Sequence, residues 1–381
     1  MHRAYFDHNA TTPLAPEARA AVVSCLDEAY GNASSIHHFG QAAKQRLESA
    51  RRQLGALIGA KPTEIVFTGG GTEADNLAIL GVVRAAPGTL KHVITTAIEH
   101  PAVLGPCGQL ERESVEITRL PVGLRGFVDP DDVARALRPE TVLVSVMHAN
   151  NEIGTIQPIA EIAARVNVPL HVDGVQALGK VPVDVATLGV SLYSMSAHKL
   201  YAPKGVGALY VRKGTKLAPL SFGGHHERDR RPGTENVPGI AGFGAAAELA
   251  ARELRQQAEP VAALRDRLER AVLDRIPGTG VNGAVAPRTP NTTNIYFDGI
   301  DGEALVIALD LRGFAVSTGS ACSSGAITPS HVLVALGLSA ERARASIRFS
   351  LGRSNTAEQV DGLIEALEAS VQHLRRISVH A

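Results

Sequence analysis

Residues 64–80 read EIVFTGGGTEADNLAIL. A branched apolar run, Ile65-Val66-Phe67, gives way to Gly69-Gly70-Gly71-Thr72 and then to apolar residues at helical spacing. The stretch predicts a strand that turns through glycines into a helix. The same alternation recurs downstream. Strands are expected at 64–68, 91–96, 141–148, 169–173, 191–196 and 207–211, with helices at 72–86 and 158–167. Short Val- and Ile-rich runs separated by helices predict an α/β architecture, a mostly parallel sheet covered on both faces. From about 240 to 276 the text is rich in Ala, Glu and Arg, with Pro260 as the expected break between two long helices. NTTNIYFDGI, FAVSTGS and the terminal AEQVDGLIEALEASVQHLRRI then predict a smaller α+β unit. The N-terminal segment has no pattern that assigns it to either.

Composition narrows the function classes. The chain has 381 residues, 45% of them hydrophobic, and 38 Lys+Arg balance 38 Asp+Glu. A net charge of zero gives no electrostatic grip on nucleic acid or on a membrane surface. No apolar run is long enough to span a bilayer. The opening MHRAYFDHNATTP lacks a basic segment followed by an apolar one, so a cytoplasmic location is expected. The three cysteines, Cys25, Cys107 and Cys322, are too few and too irregularly spaced for a disulfide framework or a structural metal site. His37, His38, His225 and His226 lack a carboxylate or cysteine at ligand spacing, so no metal is expected. Cys25 and Cys107 lie in helical stretches and read as small core residues. Cys322 differs: it sits in TGSACSSG, 318–325, among residues with little side chain to pin it.

Three motifs carry chemistry. The glycine turn before Thr72 puts a helix N-terminus behind a flexible loop, a good cradle for phosphate, although a tight strand-to-helix turn uses the same glycines. In LHVDGVQALGK an apolar strand ends at Asp173, with Gln176 three residues on. A carboxylate there can hold a protonated ring nitrogen, or it can cap the following turn. In SLYSMSAHKLYAPKGVG a strand delivers Ser196, His198 and Lys199 into a turn. A lysine at a strand end is either solvent-exposed or committed to chemistry. Phosphate cradle, carboxylate and lysine, in that order, are together the requirements of pyridoxal 5'-phosphate.

At this point the sequence resembles the cysteine desulfurases of the NifS/IscS type, within the fold-type I pyridoxal-phosphate-dependent transferases. The matching strings are DHNATTP (7–13), GNASSIHHFG (31–40), FTGGGTEADN (67–76), EHPAVL (99–104), HANNEIG (148–154), HVDGVQ (171–176), SAHK (196–199), RPGTEN (231–236), TGSACSSG (318–325) and SIRFSLGR (346–353), spread over nearly the whole chain. The resemblance implies a large cofactor-binding domain over 16–255 and a small domain formed by 1–15 and 256–381. It implies that Lys199 is the Schiff-base lysine, that Asp173 meets the ring nitrogen, and that Gln176 and Asn151 lie near the ring hydroxyl. His100 would stack on the ring and move protons. Gly71, Thr72, Ser196 and His198 would bind the phosphate, joined by Thr234 from a partner subunit, hence a homodimer. Arg348, helped by Asn32, would bind the carboxylate of the substrate L-cysteine. Cys322 would be the nucleophile that takes the sulfur as a persulfide, leaving L-alanine, and passes it to an acceptor protein such as an iron–sulfur scaffold.

The chain departs from the family pattern at Ala33, where proline is common, at Gly69, where serine is common, and at Pro232 beside Gly233-Thr234. None of these removes a chemically essential group. A loop of small residues around Cys322 suits a thiol that must reach a cleft and then leave it. The rivals are an aminotransferase or selenocysteine lyase on the same fold, and a non-catalytic sulfur carrier. TGSACSSG argues against a plain aminotransferase and leaves selenocysteine open as a substrate, and the intact Lys199, Asp173 and Arg348 argue against a sulfur carrier.

Overall fold

The computed structural model describes residues 3–283, 287–319 and 328–378; Cys322 and the rest of 320–325 lie outside them. In chain order the first elements are β1 (Ala4–Tyr5), α1 (Pro16–Glu28), α2 (His38–Leu57), β2 (Ile65–Thr68), α3 (Gly71–Ala85), β3 (His92–Thr96), α4 (Pro101–Arg112) and β4 (Glu116–Leu120). There follow α5 (Pro130–Ala136), β5 (Thr141–Met147), α6 (Ile159–Ala163), β6 (Leu170–Asp173), α7 (Val185–Leu188), β7 (Leu192–Ser196), β8 (Gly207–Val211) and α8 (Val237–Arg275). The last are β9 (Thr279–Val281), β10 (Thr292–Phe297), α9 (Gly302–Leu311), β11 (Phe314–Ala315), α10 (His331–Ala335), α11 (Ala340–Arg344), β12 (Ser346–Ser350) and α12 (Ala357–Ser378).

Seven strands form one sheet in the order β2-β8-β7-β6-β5-β3-β4. Neighbours from β7 to β4 pair in parallel, and β8 alone runs against both of its neighbours. Successive side chains of a strand point to opposite faces, and both faces here are apolar. Ile65, Phe67, Ile94, Val144 and Val172 join a core with residues of α1, α2 and the first half of α8. Val66, Val93, Leu143, Leu192 and Leu209 join a second core with α3 and α4. Two-sided burial explains why these strands read as continuous apolar runs. Cys25 and Cys107 lie in these cores as free thiols, and burial pushes the Cys107 thiol up to about 12.

A third core collects Ala4, Phe6, Leu268, Val272, Ile295, Phe297, Ile347, Phe349 and the apolar face of α12. Its sheet is antiparallel, in the order β12-β10-β9. The N-terminal segment joins this region through the β1–β11 pairing and the bridge from Asp7 to Ser350.

Two expectations are corrected. Pro260 does not divide the 240–276 region: α8 is one helix of 39 residues that runs through it. An interior proline costs about 3 kcal/mol. That cost is offset because both halves are anchored, Phe243 and Leu249 in the first core and Leu268 and Val272 in the third. The helix expected over 158–167 stops at Ala163. Val166, Asn167 and Val168 are poor helix formers, and Pro169 disfavours helix at the residue before it.

Candidate active site

Three strands of the large sheet end side by side. Met147, at the end of β5, is opposite Asp173, which ends β6, and Asp173 is opposite Ser194 near the end of β7. Ligand sites form beyond the carboxyl ends of parallel strands, and a cavity of about 350 Å³ opens here. Asp173 and Ser196 reach it as strand ends, and His198 and Lys199 from the tight turn that follows β7. Asn151 and Gln176 come from the loops after β5 and β6, Gly71 and Thr72 from the start of α3, His100 from the start of α4, and Arg348 from β12. Ten of the thirteen residues singled out in the sequence therefore share one cavity.

The α3 end of the cavity is built for an anion. The first helical bond of α3 runs from the Ala74 N–H to the Gly70 carbonyl at 3.1 Å, so the N–H groups of Gly71, Thr72 and Glu73 precede the helical ladder. The side chains of Thr72, Ser196, His198 and Lys204 line the outer opening beside them. Gly71 is required by closeness. A Cβ there would lie 2.8 Å from Val175 Cγ2 and 3.2 Å from Ser196 Cβ. Gly207 is required too, because a Cβ on it would lie 2.4 Å from the Gly70 carbonyl carbon. The loop itself is braced: Glu73 accepts from the Gly69 N–H at 2.6 Å and from Arg231 Nε at 2.9 Å.

Lys199 Nζ donates to the carbonyls of Asn9 and Ala10 at 2.5 and 2.6 Å, so the N-terminal segment forms part of the wall. Asp173 Oδ1 accepts from the Val175 N–H at 3.0 Å, so it caps the following turn and lines the cavity at once. Burial, reinforced by the nearby Asp75, pushes the Asp173 carboxyl up to about 7. Asp75 is pushed to about 7 in the same way, while burial holds His171 down near 4. The two groups are 3.5 Å apart, and Asp75 lines the same cavity as Asp173. His171 is fixed by Ser145 at 2.8 Å and Ser194 at 2.9 Å.

Two histidines are held neutral. Burial lowers His198 to about 4, helped by Lys199 and Lys204. Burial also lowers His100, against the pull of Asp173. His100 Nδ1 accepts from the Ala102 N–H at 3.1 Å as the helix cap of α4, so the neutral ring carries its proton on Nε2. Arg348 donates to Asp7 Oδ1 at 2.7 Å and to the Asn151 carbonyl at 3.2 Å, and its Nε is buried without a partner among the described residues.

Three candidates are not brought together with these. Asn32 is exposed, and its Oδ1 accepts from the Ser34 N–H at 2.8 Å within a local turn. Thr234 is exposed and does not line the cavity of its own chain. Cys322 lies outside the described residues, and Gly319, three positions before it, lines the cavity. Sequence reasoning missed Asn9, Ala10 and Asp75. Asp75 had a signal, because it lies four residues after Gly71 on the same helical face.

Fold and cavity define an α/β protein in which strand ends, a helix N-terminus and a lysine meet in one cleft. The model of the family described as Aminotransferase class-V matches residues 4–363, and the chain belongs to that family. It is 51% identical over 377 residues to a cysteine desulfurase IscS of Dictyoglomus turgidum, covering 98% of this chain and 96% of that one. It is 47% identical over 377 residues to a cysteine desulfurase IscS of Methanosarcina thermophila, covering 98% of this chain and 93% of that one. Among solved structures, a NifS-like protein superposes with a TM-score of 0.91 at 36% identity, covering 98% of this chain and all of that one. SspA in complex with cysteine superposes with a TM-score of 0.81 at 34% identity, covering 92% and 99%.

Proposed function

We propose that this chain is a pyridoxal-phosphate-dependent cysteine desulfurase. The observation that carries the reading is the convergence of the α3 N-terminus, Asp173 and Lys199 on one cavity. The residues fit the cofactor. The free N–H groups of α3 with Thr72, Ser196 and His198 suit its phosphate. The buried Asp173 carboxyl, whose proton affinity burial has raised, suits a protonated ring nitrogen, which would favour the carboxylate again. Gln176 and Asn151 would face the ring hydroxyl and Lys199 would hold the ring covalently.

When bound, the cofactor supplies an electron sink that makes the α-hydrogen of an amino acid acidic. The protein's residues do the rest. Arg348 binds the carboxylate of L-cysteine, with its unpartnered Nε as an added donor. Lys199 takes the proton from the α-carbon. Asp173, as carboxylate, keeps the ring nitrogen protonated. The Cys322 thiolate attacks the substrate sulfur. A sulfur–sulfur bond forms as the substrate's carbon–sulfur bond breaks. The electron pair of that bond stays with carbon, which takes up a proton. The balance is L-cysteine plus a thiol giving L-alanine plus a persulfide on Cys322. His100, neutral and with its N–H on Nε2, is positioned to donate a hydrogen bond within the cavity.

The exposure of Thr234 supports a homodimer in which it serves the partner's cavity, and Asn32 would assist the carboxylate from its turn. The separate third core supports a small domain formed by 1–15 and 256–381 beside a large domain over 16–255. The persulfide would pass in the cytoplasm to an acceptor such as an iron–sulfur scaffold. The assignment of the lysine is tested by loading the protein with pyridoxal phosphate, reducing with borohydride and mapping the labelled peptide by mass. The label is expected on Lys199 and absent in Lys199→Ala. Label on another lysine, or none, overturns the reading.

A further inference from the structure

Behind the cavity lies a second lysine that the reaction above does not use. The residues after β6 form a helical turn, with N–H bonds from Ala177 and Leu178 to the Gly174 carbonyl and from Lys180 to that of Ala177. Residues four apart on such a turn share a face. Lys180 accordingly meets Gln176, its Nζ donating to Gln176 Oε1 at 2.5 Å and to Asn9 Oδ1 at 2.8 Å. Gln176 Nε2 donates to the Asn9 carbonyl at 3.0 Å. Lys180 has no carboxylate within ion-pair distance among the described residues, and it does not line the 350 Å³ cavity that Gln176 lines.

These contacts decide which way the Gln176 amide faces. The Asn9 carbonyl only accepts, so it must meet the amide nitrogen. The Lys180 amine donates, so it must meet the amide oxygen. One N–H of Gln176 remains beyond these bonds, on a side chain that lines the cavity. We propose that Lys180 is a positioning residue: by holding Gln176 Oε1 it fixes the amide with its N–H side, not its oxygen, toward the ring oxygen of the cofactor. This rests on the cofactor reading given above.

The charge state of Lys180 is compatible with that role. Enclosure of its amine, with Lys199 and Arg348 facing it, drives its proton affinity well below that of an ordinary lysine. His8 and His198 are the other titratable groups that feel it, and burial holds both near 4. Its amine carries hydrogens enough for both acceptors present, Gln176 Oε1 and Asn9 Oδ1. Glutamine read without Lys180 could turn its oxygen to the cavity and set two oxygens against each other.

The test is a pH titration of the visible absorption band of the cofactor-loaded protein, in wild type, Lys180→Met, Gln176→Met and the double variant. Methionine keeps the length of the lysine stem and removes its donors. A donor on the ring oxygen favours the form in which that oxygen carries the full negative charge, so losing it moves the titration upward. The expected shift is about one pH unit for each single variant, the scale of one lost hydrogen bond to a charged group. The double variant is expected to shift no further than Gln176→Met. Lys180→Met titrating as wild type overturns the inference. So does a shift that adds in full to that of Gln176→Met, since Lys180 would then act by another route. Should Lys180→Met not fold, the double variant, in which both partners become apolar, is compared with Gln176→Met alone: equality supports the inference and a difference overturns it. A wild-type protein with no visible band would instead overturn the cofactor reading.

Discussion

Glu99 offers a stability test of the ground on which the cavity stands. It precedes His100, and its Oε1 accepts from Thr96 Oγ1 at 2.7 Å and from the Met147 N–H at 2.9 Å, tying β3 to the end of β5. Its Oε2 is buried without a partner among the described residues. Burial raises the carboxyl from 4.5 to about 8. In the unfolded chain it ionises near 4.5 and in the folded one only near 8, so folding takes up a proton between those values. The stability Glu99 contributes is whole below 4.5 and is lost as pH rises through about 8. Glutamine copies the protonated acid, keeps both bonds to Oε1 and has no charge to gain. From pH 5.5 to 7.5 the wild type therefore loses roughly 2–3 kcal/mol relative to Glu99→Gln, at about 1.4 kcal/mol per pH unit. An unfolding entropy of about 2.1 cal/mol/K per residue converts this to about 3 °C for a chain of this length. Thermal melts of both proteins, saturated with cofactor, are compared at the two pH values. The advantage of Glu99→Gln in Tm is expected to grow by about 3 °C. An advantage that is the same at both pH values refutes the reasoning.

Other perturbations address the site directly. Gly71→Ala places a methyl 2.8 Å from Val175 Cγ2 and 3.2 Å from Ser196 Cβ; an overpacking cost of about 1–3 kcal/mol should lower Tm by about 1–4 °C, and the shift it forces on Ser196 should weaken pyridoxal phosphate binding by equilibrium titration. Arg348→Lys keeps a charge but loses the planar fork, so KM for L-cysteine should rise about tenfold or more with a smaller fall in kcat; an unchanged KM removes Arg348 from substrate binding. His100 has its proton affinity lowered, so wild-type kcat should fall only as pH drops below the ordinary histidine value of about 6.5. That acid limb should vanish in His100→Gln, and its persistence assigns the limb to another group.

Much of the fold was legible because the strands of the large sheet are buried on both faces. Six of them declare themselves as short apolar runs that no single-faced strand would show. The strand that escaped, Glu116–Leu120, is at the sheet edge, where Glu116 and Arg119 are exposed and only Leu120 is buried, so EITRL carries no such signal. The strand-end residues Asp173 and Ser196 were legible for the same reason: the end of an apolar run marks where a side chain can face a ligand. The contribution of Asn9 and Ala10 was not, because it depends on a chain segment packing against a lysine 190 residues away. Nor was Asp7 beside Arg348, a pairing 341 residues apart in sequence. Pro260 misled because local propensity favours a break, whereas two separate cores hold the two ends of α8.

The central claim is that the cavity and Cys322 together move one sulfur atom. It is tested most directly by a single turnover of the cofactor-loaded protein with L-cysteine, in wild type and Cys322→Ser. Alanine would be quantified, and the mass of the peptide that carries residue 322 measured. The account predicts one alanine per site and a gain of one sulfur on Cys322, both lost in the variant. Alanine formed normally by Cys322→Ser, or pyruvate as the product, would contradict it.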